Sequence, residues 1–121
     1  MTASRLAGLA GTTVTLLFTD IEGSTSVLKG LGKEYADVSD EHRRLLRNAF
    51  AEHGGLEIDT QGDSLFWVFR RARDAAAAAA DGQRALAEHR WPNVAALRVR
   101  MGLHSGEPQV GTEGLVGLSV V

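Results

Sequence analysis

Two acidic residues lie at predicted strand boundaries: Asp20 at the end of a strand and Asp63 in the turn between two strands. Asp20 follows the apolar and β-branched run at residues 14–19, and Asp63 follows Gly62 between two strand-like segments. Two carboxylates brought close together repel each other unless a cation lies between them. Oxygen ligands favour Mg²⁺ or Mn²⁺ over zinc, and Mg²⁺ commonly takes one or two carboxylates together with substrate phosphates. The pair therefore predicts a divalent metal site that serves a nucleoside triphosphate.

The residues after Asp20 have the chemistry of a phosphate-binding turn. They are mostly small or polar and open a predicted helix: Ile21, Glu22, Gly23, Ser24 and Thr25. Free backbone N–H groups at a helix start bind phosphate, and a glycine lets the backbone come close to it. Taken alone, each aspartate is more ordinarily a helix cap or a hairpin turn. The prediction of a site therefore depends on the two aspartates meeting.

Hydrophobic periodicity predicts the elements that must bring the pair together. The predicted elements are a strand at 14–19, a helix from Tyr35 to Gly54, strands at 56–60 and 64–69, a helix at 72–89, and a strand at 97–103 followed by a loose glycine-rich hairpin. This order predicts an α+β fold, the ferredoxin-like βαββαβ sandwich. Right-handed crossovers place the first strand beside the third, about 4.8 Å away. Asp20 and Asp63, 43 residues apart, then lie at one edge of the sheet.

Composition limits the classes of function. The chain has 121 residues, which predicts one domain, and its net charge of -2 does not indicate a nucleic-acid or membrane-surface binder. The absence of cysteine excludes disulfides, thiolate zinc sites and cysteine nucleophiles. No apolar run approaches the roughly 18 residues of a membrane span. We expect a flexible leader at 1–12, a domain at 13–121 and a cytoplasmic location.

The remaining polar residues form no recognisable catalytic set. The histidines have no metal-ligand spacing, no serine has a base in a motif, and the glycines match no P-loop. The arginines of the first helix and the last strand are interpreted as solvated surface charges: Arg43, Arg44, Arg47, Arg98 and Arg100. These patterns disfavour a hydrolase and leave the aspartate pair as the candidate site.

Four stretches of the sequence, taken in order, resemble one known family. They are VTLLFTDIEGST at 14–25, DTQGDSLF at 59–66, LRVRMGLHSGE at 97–107 and LVGLSV at 115–120. The first resembles the opening of class III adenylate and guanylate cyclase catalytic domains, and the second resembles their second metal motif. The third and fourth resemble the strand that follows and the start of the next block. The bacterial variety of the family is the most similar.

The resemblance implies a head-to-tail homodimer with active sites at its interface. On matching positions, Asp20 and Asp63 would be the carboxylates for two Mg²⁺ or Mn²⁺ ions, and Ile21 would lend a backbone carbonyl. The implied reaction converts ATP to cyclic AMP and pyrophosphate, as the ribose 3′-hydroxyl attacks the α-phosphate in line. One ion would activate that hydroxyl and the other would neutralise the leaving group.

The sequence departs from the family pattern at the transition-state donors. The family's asparagine position falls on Val121, which has no donor, and the arginine position lies beyond the chain. The loss of one such donor costs on the order of 10² to 10³ in rate. We therefore expect a domain that is incomplete at its C-terminal end, weakly active or inactive, with sheet edges that could exchange strands in a dimer.

A second departure concerns the purine base. The position of the family's selecting lysine is Asp59, its partner position is Gly114, and Gln61 is a further candidate for contact with the base. An acidic residue is closer to the guanylate cyclase pattern, so GTP stays open beside ATP. The alternative to an enzyme is a non-catalytic, cyclase-like regulatory or dimerisation module. A diguanylate cyclase is disfavoured because its GG(D/E)EF motif is missing.

Overall fold

The computed structural model describes residues 11–92, 97–111 and 114–120. Its strands are β1 (Val14–Ile21), β2 (Leu56–Gln61), β3 (Ser64–Phe69), β4 (Val99–Gly111) and β5 (Gly114–Val120). Its helices are α1 (Ser24–Leu31), α2 (Tyr35–Glu52) and α3 (Ala72–Glu88), with a 3₁₀ turn (Gly32–Glu34) before α2. Among the described residues, no helix is both long enough and apolar enough to cross a membrane.

The five strands form one sheet in the order β2-β3-β1-β4-β5, and every neighbouring pair is antiparallel. The predicted ferredoxin-like arrangement, with the first strand beside the third, is confirmed. Thr19 pairs with Leu65 across β1 and β3, and Asp20 pairs with Arg100 across β1 and β4. The end of β1 therefore lies beside the start of β3.

The helices cover one face of the sheet. Alternate strand residues point to opposite faces, so neighbouring residues of one strand differ in burial. On the covered face Leu17 is buried beneath the helices, and Phe50 of α2 packs edge-on against Trp67 and Phe69 of β3, with ring centroids 5.5 and 6.3 Å apart. On the other face Phe18 is 41% exposed. Of the sheet's two faces, the helices thus leave the one that carries Phe18 open.

Two turns that frame this sheet require glycine. Gly54 has φ of 78°, and its N–H donates to the carbonyl of Ala51 at 3.0 Å, which ends α2 as the sequence predicted. Gly62 has φ of 57° in the two-residue turn between β2 and β3. That tight turn puts Asp63 directly before β3.

The structure differs from the sequence prediction in three places. A separate helix, α1, precedes α2, and β1 extends two residues beyond the predicted end, to Ile21. β4 continues to Gly111 and pairs with β5 in a long antiparallel hairpin with a register shift between Gln109 and Val110, where a loose glycine-rich hairpin was predicted. The predicted leader (residues 1–10 of it) and Val121 lie outside the described residues.

Candidate functional site

Asp20 lies near the end of β1 and has a donor on each carboxylate oxygen. Nη2 of Arg100, its partner on β4, donates to Oδ2 at 2.8 Å, and Oγ of Ser64 on β3 donates to Oδ1 at 3.4 Å. The side chains of Arg100 and Asp20 are 66% and 45% exposed. Arg100 was interpreted from the sequence as a solvated charge; its side chain is exposed, and the antiparallel register also places it opposite a carboxylate, which the sequence did not predict.

Asp63 is held from the opposite side, by the first turns of α2. The hydroxyl of Tyr35 donates to Oδ2, and Oγ of Ser39 donates to Oδ1 at 2.7 Å. Tyr35 and Ser39 are one helical turn apart, so both hydroxyls point from one face of α2. Asp63 is therefore the point at which the β2–β3 turn is fixed to the helix layer.

Arg43 extends this contact by one more helical turn. Its Nη1 donates to Ser39 Oγ at 2.9 Å and to the carbonyl of Gly62 at 3.1 Å. Ser39 Oγ thus accepts from Arg43 while it donates to Asp63. Arg43 was predicted to be a surface charge; its side chain is only partly exposed, and it ties α2 to the turn that carries Asp63, which the sequence did not predict.

The ionisation of Tyr35 reflects these neighbours. Burial, the hydrogen bond to Asp63 and the negative charge of Asp63 all raise the pKa of Tyr35 well above its usual range, and the charge of Asp20 adds to the effect. Tyr35 is therefore a permanent hydroxyl donor at physiological pH.

His42 lies beneath the same contact and is fully buried. Its Nδ1 lies 2.6 Å from the carbonyl of Ser39, which can only accept, so Nδ1 carries the proton. Burial lowers the pKa of His42, Arg43 adds to this, and the Ser39 carbonyl and the charge of Asp63 oppose it. The imidazole is therefore a neutral support for the α2 backbone at Ser39.

The structure brings together the two chain segments that carry the predicted pair. Ser64, the residue after Asp63, contacts Asp20. The C-terminal end of β1 and the β2–β3 turn therefore meet at one end of the neighbouring inner strands β1 and β3. The two carboxylates themselves have different donors, Asp20 on the open face and Asp63 toward α2. Within the described ranges, no group of three or more histidine, aspartate and glutamate side chains forms a ready-made metal cluster. Any metal ligation here would need further oxygens from the backbone or a substrate.

The predicted phosphate-binding turn lies directly after β1. Ile21 is buried, and the N–H of Glu22 donates to the carbonyl of Arg98 at 2.8 Å, which continues the β1–β4 ladder. Gly23 has φ of 64°, and its carbonyl accepts from Val27 N–H at 3.0 Å to start α1. Among the residues that the structure describes, no side chain caps this helix start, so the N–H groups of Ser24 and Thr25 have no side-chain acceptor there.

The predicted base-contacting residues lie on β2, at the edge of the sheet. Asp59 and Gln61 are exposed, and Gln61 Nε2 donates to Asp59 Oδ2 at 2.9 Å, while the N–H of Thr60 donates to Oδ1 at 2.8 Å. The structure thus joins the two candidates into one polar unit. Gly114, the partner position named in the sequence analysis, lies on β5 at the opposite edge of the sheet from this pair.

Arg47, the third arginine of α2, also has a structural partner. Its Nε and Nη2 donate to Glu57 on β2 at 3.0 and 3.1 Å, and Thr60 Oγ1 donates to the same carboxylate at 2.8 Å. Burial by itself raises the pKa of Glu57, but the bonds from Arg47 and Thr60 outweigh it, and the net pKa is lowered. Glu57 therefore stays ionised and holds β2 against α2.

A cavity of about 370 Å³ opens beside Asp20 on the uncovered face of the sheet. It is lined by Phe18, Thr19, Asp20, Ser64, Phe66, Arg100, Met101 and Gly102. Its volume falls within the range of small-molecule sites, and its polar groups are concentrated at the Asp20 end. A ligand in this cavity would meet apolar rings on one side and the Asp20–Arg100 pair on the other.

Sequence reasoning missed Tyr35 and Ser39. Tyr35 was identified only as the first residue of a predicted helix, and Ser39 was not selected. The available signal was the spacing of Tyr35, Ser39 and Arg43, four residues apart and therefore on one helical face, with a donor on each side chain. Such a face predicts contact with an acceptor, although it does not identify Asp63.

Comparison with known proteins gives a consistent result. The family model described as adenylate and guanylate cyclase catalytic domain matches residues 10–118. A Mycobacterium tuberculosis protein, described only as uncharacterized, is 36% identical over 110 residues, which is 89% of this chain and 36% of that protein. A receptor-type adenylate cyclase of Trypanosoma congolense is 42% identical over 82 residues, which is 68% of this chain and 11% of that protein. The chain thus spans about a third or less of these relatives.

Solved structures agree on the fold. A solved structure of adenylate cyclases from Trypanosoma brucei in their monomeric state superposes with a TM-score of 0.78 at 23% identity, over 87% of this chain and 63% of the matched chain. Identity at this level supports a common fold and no more. About a third of the matched chain has no counterpart in this sequence.

Proposed function

This chain belongs to the adenylate and guanylate cyclase catalytic domain family, and we propose that it forms the metal- and nucleotide-binding part of a cyclase that converts ATP to cyclic AMP and pyrophosphate. The observation that carries the proposal is the meeting of the β1 end with the β2–β3 turn through the Ser64–Asp20 contact. It places two acidic segments beside an uncapped helix start. Metal, phosphate and sugar would then be bound where the C-terminal end of β1 lies beside the start of β3.

The residues present suit a divalent ion. A carboxylate offers about four lone-pair sites, and each oxygen of Asp63 uses one of its sites on a hydroxyl from α2. Asp20 is half-exposed, and its arginine partner can turn toward solvent. Asp20, Asp63 and the carbonyl of Ile21 supply only oxygen, the donor type that Mg²⁺ and Mn²⁺ prefer. We therefore assign two such ions to these three residues.

The chain's own groups would bind and orient the nucleotide. When bound, the ions supply positive charge that neutralises the triphosphate and favours loss of the proton from the ribose 3′-hydroxyl. The N–H groups of Ser24 and Thr25 would bind phosphate oxygens, and the left-handed conformation of Gly23 lets the backbone come close to them. Glu22 lies in the same turn. The contribution of these groups is to hold the reacting atoms in line.

The nucleotide base is assigned to the Asp59–Gln61 pair. Asp59 accepts hydrogen bonds and Gln61 both donates and accepts, so together they can contact the polar edge of a purine. ATP is supported by the name of the trypanosomal relative, an adenylate cyclase. GTP is the second candidate because Asp59 replaces the lysine position of the adenylate pattern. We also propose a cytoplasmic location, where a chain that has no cysteine needs no oxidising conditions.

A second copy of the chain would complete the site. Phe18 is 41% exposed on the face that the helices leave uncovered, and large exposed aromatic surface is typical of an interface. We propose a homodimer through this face, in which strands could also be exchanged. The alternative function is a non-catalytic dimerisation module. The ion pair of Asp20 with Arg100 and the donorless Val121 favour that alternative.

A product assay separates the two functions. The 121-residue chain is incubated with ATP or GTP and Mn²⁺, and cyclic nucleotide is measured by chromatography. We expect a low rate of cyclic AMP formation from wild type, because Val121 supplies no transition-state donor, and none above background from Asp20→Asn or Asp63→Asn. Ser105→Ala, which removes a hydroxyl at the other end of the sheet, should keep wild-type activity. Wild-type chain that binds the metal–nucleotide but makes no product would support the non-catalytic module.

A further inference from the structure

One face of α2 is built around the carboxylate of Asp63. Tyr35 and Ser39 each donate a hydroxyl hydrogen bond to it, one to each oxygen, and the Ser39 bond is 2.7 Å long. They come from residues 28 and 24 positions away, so the contact exists only in the folded chain. A carboxylate with a donor on both oxygens cannot rotate without breaking a hydrogen bond. The orientation of Asp63 is therefore set by α2.

Ser39 is the central member of this arrangement. It is 3% exposed, and its oxygen accepts from Arg43 Nη1 at 2.9 Å. The same guanidinium nitrogen donates to the carbonyl of Gly62 at 3.1 Å. Arg43 thus fixes both the turn before Asp63 and the hydroxyl that holds the Asp63 side chain. Hydrogen bonds with an ionised donor or acceptor are stronger than neutral ones, so the bonds of Arg43 and the Ser39–Asp63 bond together hold the turn firmly against α2.

We propose that Tyr35 and Ser39 are positioning residues for metal binding, whose hydroxyls hold Asp63 so that its free lone pairs receive the divalent ion. This inference rests on the proposed function, because it assumes that Asp63 is a metal ligand. Neither hydroxyl contacts the ion in this role. Each acts through the Asp63 carboxylate, as the hydrogen-bonded partners of ligating carboxylates do in metal sites generally.

If the two hydroxyls competed with the metal ion instead of positioning Asp63, their removal would change Mn²⁺ affinity in the opposite direction. Hydroxyls that only occupied Asp63 would compete with the ion, and their removal would tighten metal binding. Positioning hydroxyls lower the cost of ordering the ligand, and their removal weakens metal binding. The direction of the change in Mn²⁺ affinity therefore distinguishes positioning from competition.

The experiment is an Mn²⁺ titration of the 121-residue chain, followed by the electron paramagnetic resonance signal of free Mn²⁺. The variants are Tyr35→Phe, which keeps the ring, and Ser39→Ala, which removes only the buried oxygen. We expect each to weaken Mn²⁺ binding by about 10- to 100-fold, the usual effect of losing a partner of a metal ligand. Ser105→Ala is the matched control, because its hydroxyl bonds Thr15 at the far end of β1, and it should bind Mn²⁺ as wild type does.

Asp63→Asn separates this inference from the function it rests on. If Asp63→Asn loses Mn²⁺ binding while Tyr35→Phe and Ser39→Ala bind as well as wild type or better, the positioning role is wrong and the metal site stands. If wild type shows no Mn²⁺ binding that depends on Asp63, the proposed function and the positioning role are both wrong. Tyr35→Phe keeps its packing, so it decides the question even where Ser39→Ala fails to fold.

Discussion

Arg100 lies directly opposite Asp20 in the β1–β4 register, and its guanidinium donates to the Asp20 carboxylate at 2.8 Å. The arginine thus contacts a carboxylate that we assign to a divalent ion. Both side chains are largely exposed, and ion pairs of this kind contribute only about 0–1 kcal/mol. A divalent ion can therefore displace Arg100 at little cost.

This relationship predicts that loss of the arginine strengthens metal binding. In Arg100→Gln the Asp20 carboxylate is no longer paired, and a nearby positive charge that repels the ion is removed. We expect Mn²⁺ affinity to increase roughly two- to fivefold, as a surface pair of up to about 1 kcal/mol allows. Arg70→Gln, an exposed arginine just beyond the far end of β3, makes the same charge change and should have little effect. Unchanged or weaker Mn²⁺ binding in Arg100→Gln would contradict competition at Asp20.

Two glycines next to aromatic rings should differ in their tolerance of alanine. A Cβ at Gly55 would lie 2.6 Å from the ring of Phe69, which is 1% exposed and cannot move aside. A Cβ at Gly102 would lie 2.2 Å from the ring of Phe18, which can turn into solvent because it is 41% exposed. We expect Gly55→Ala to lower the free energy of unfolding by about 1–3 kcal/mol and Gly102→Ala by less. Urea unfolding of both variants measures this order, and the reverse order would show that Phe18 is held more firmly than Phe69.

His42 predicts an acid-sensitive component of stability. Its pKa is lowered from 6.5 in the folded state, so below pH 6.5 the unfolded chain binds a proton that the folded chain does not. The free energy of unfolding should therefore fall as pH decreases from 6.5 toward the folded-state pKa. His42→Asn, which keeps a donor for the Ser39 carbonyl, should lack this component. Urea unfolding at several pH values tests it, and equal pH slopes for wild type and variant would show that His42 does not contribute.

The fold could largely be predicted from the sequence, because its signals are local. The strand at 64–69 has the bounds observed for β3, since turn residues precede it and a helix-favouring segment follows it. The helix start near Ser24 was predicted, but α1 was not recognised as a helix separate from α2, because Ser24–Leu31 contains serine, threonine and glycine, which are weak helix formers. The length of β4 was underestimated because Gly106 and Pro108 lower strand propensity. Pro108 lies past the last β1 pair, at Gly106, and pairs only with β5, where a missing N–H is tolerated.

The candidate site could be predicted only in part. The order of the strands predicted that the chain segments carrying Asp20 and Asp63 lie at the same end of β1 and β3. The donors that hold them did not, because each depends on geometry between distant segments. Arg100 meets Asp20 through the register of β4, and Tyr35 and Ser39 meet Asp63 through the angle at which α2 crosses the sheet. Neither quantity can be read from a periodic pattern.

The most direct test of the metal site is calorimetric titration of the chain with ATP in the presence of Mn²⁺, for wild type, Asp20→Asn and Asp63→Asn. Asparagine keeps the shape of each side chain and removes its charge. If the two carboxylates bind the Mn²⁺ ions that coordinate the ATP phosphates, each substitution weakens ATP binding at least about tenfold. Binding of wild-type strength in both variants would contradict the assignment of Asp20 and Asp63 as metal ligands.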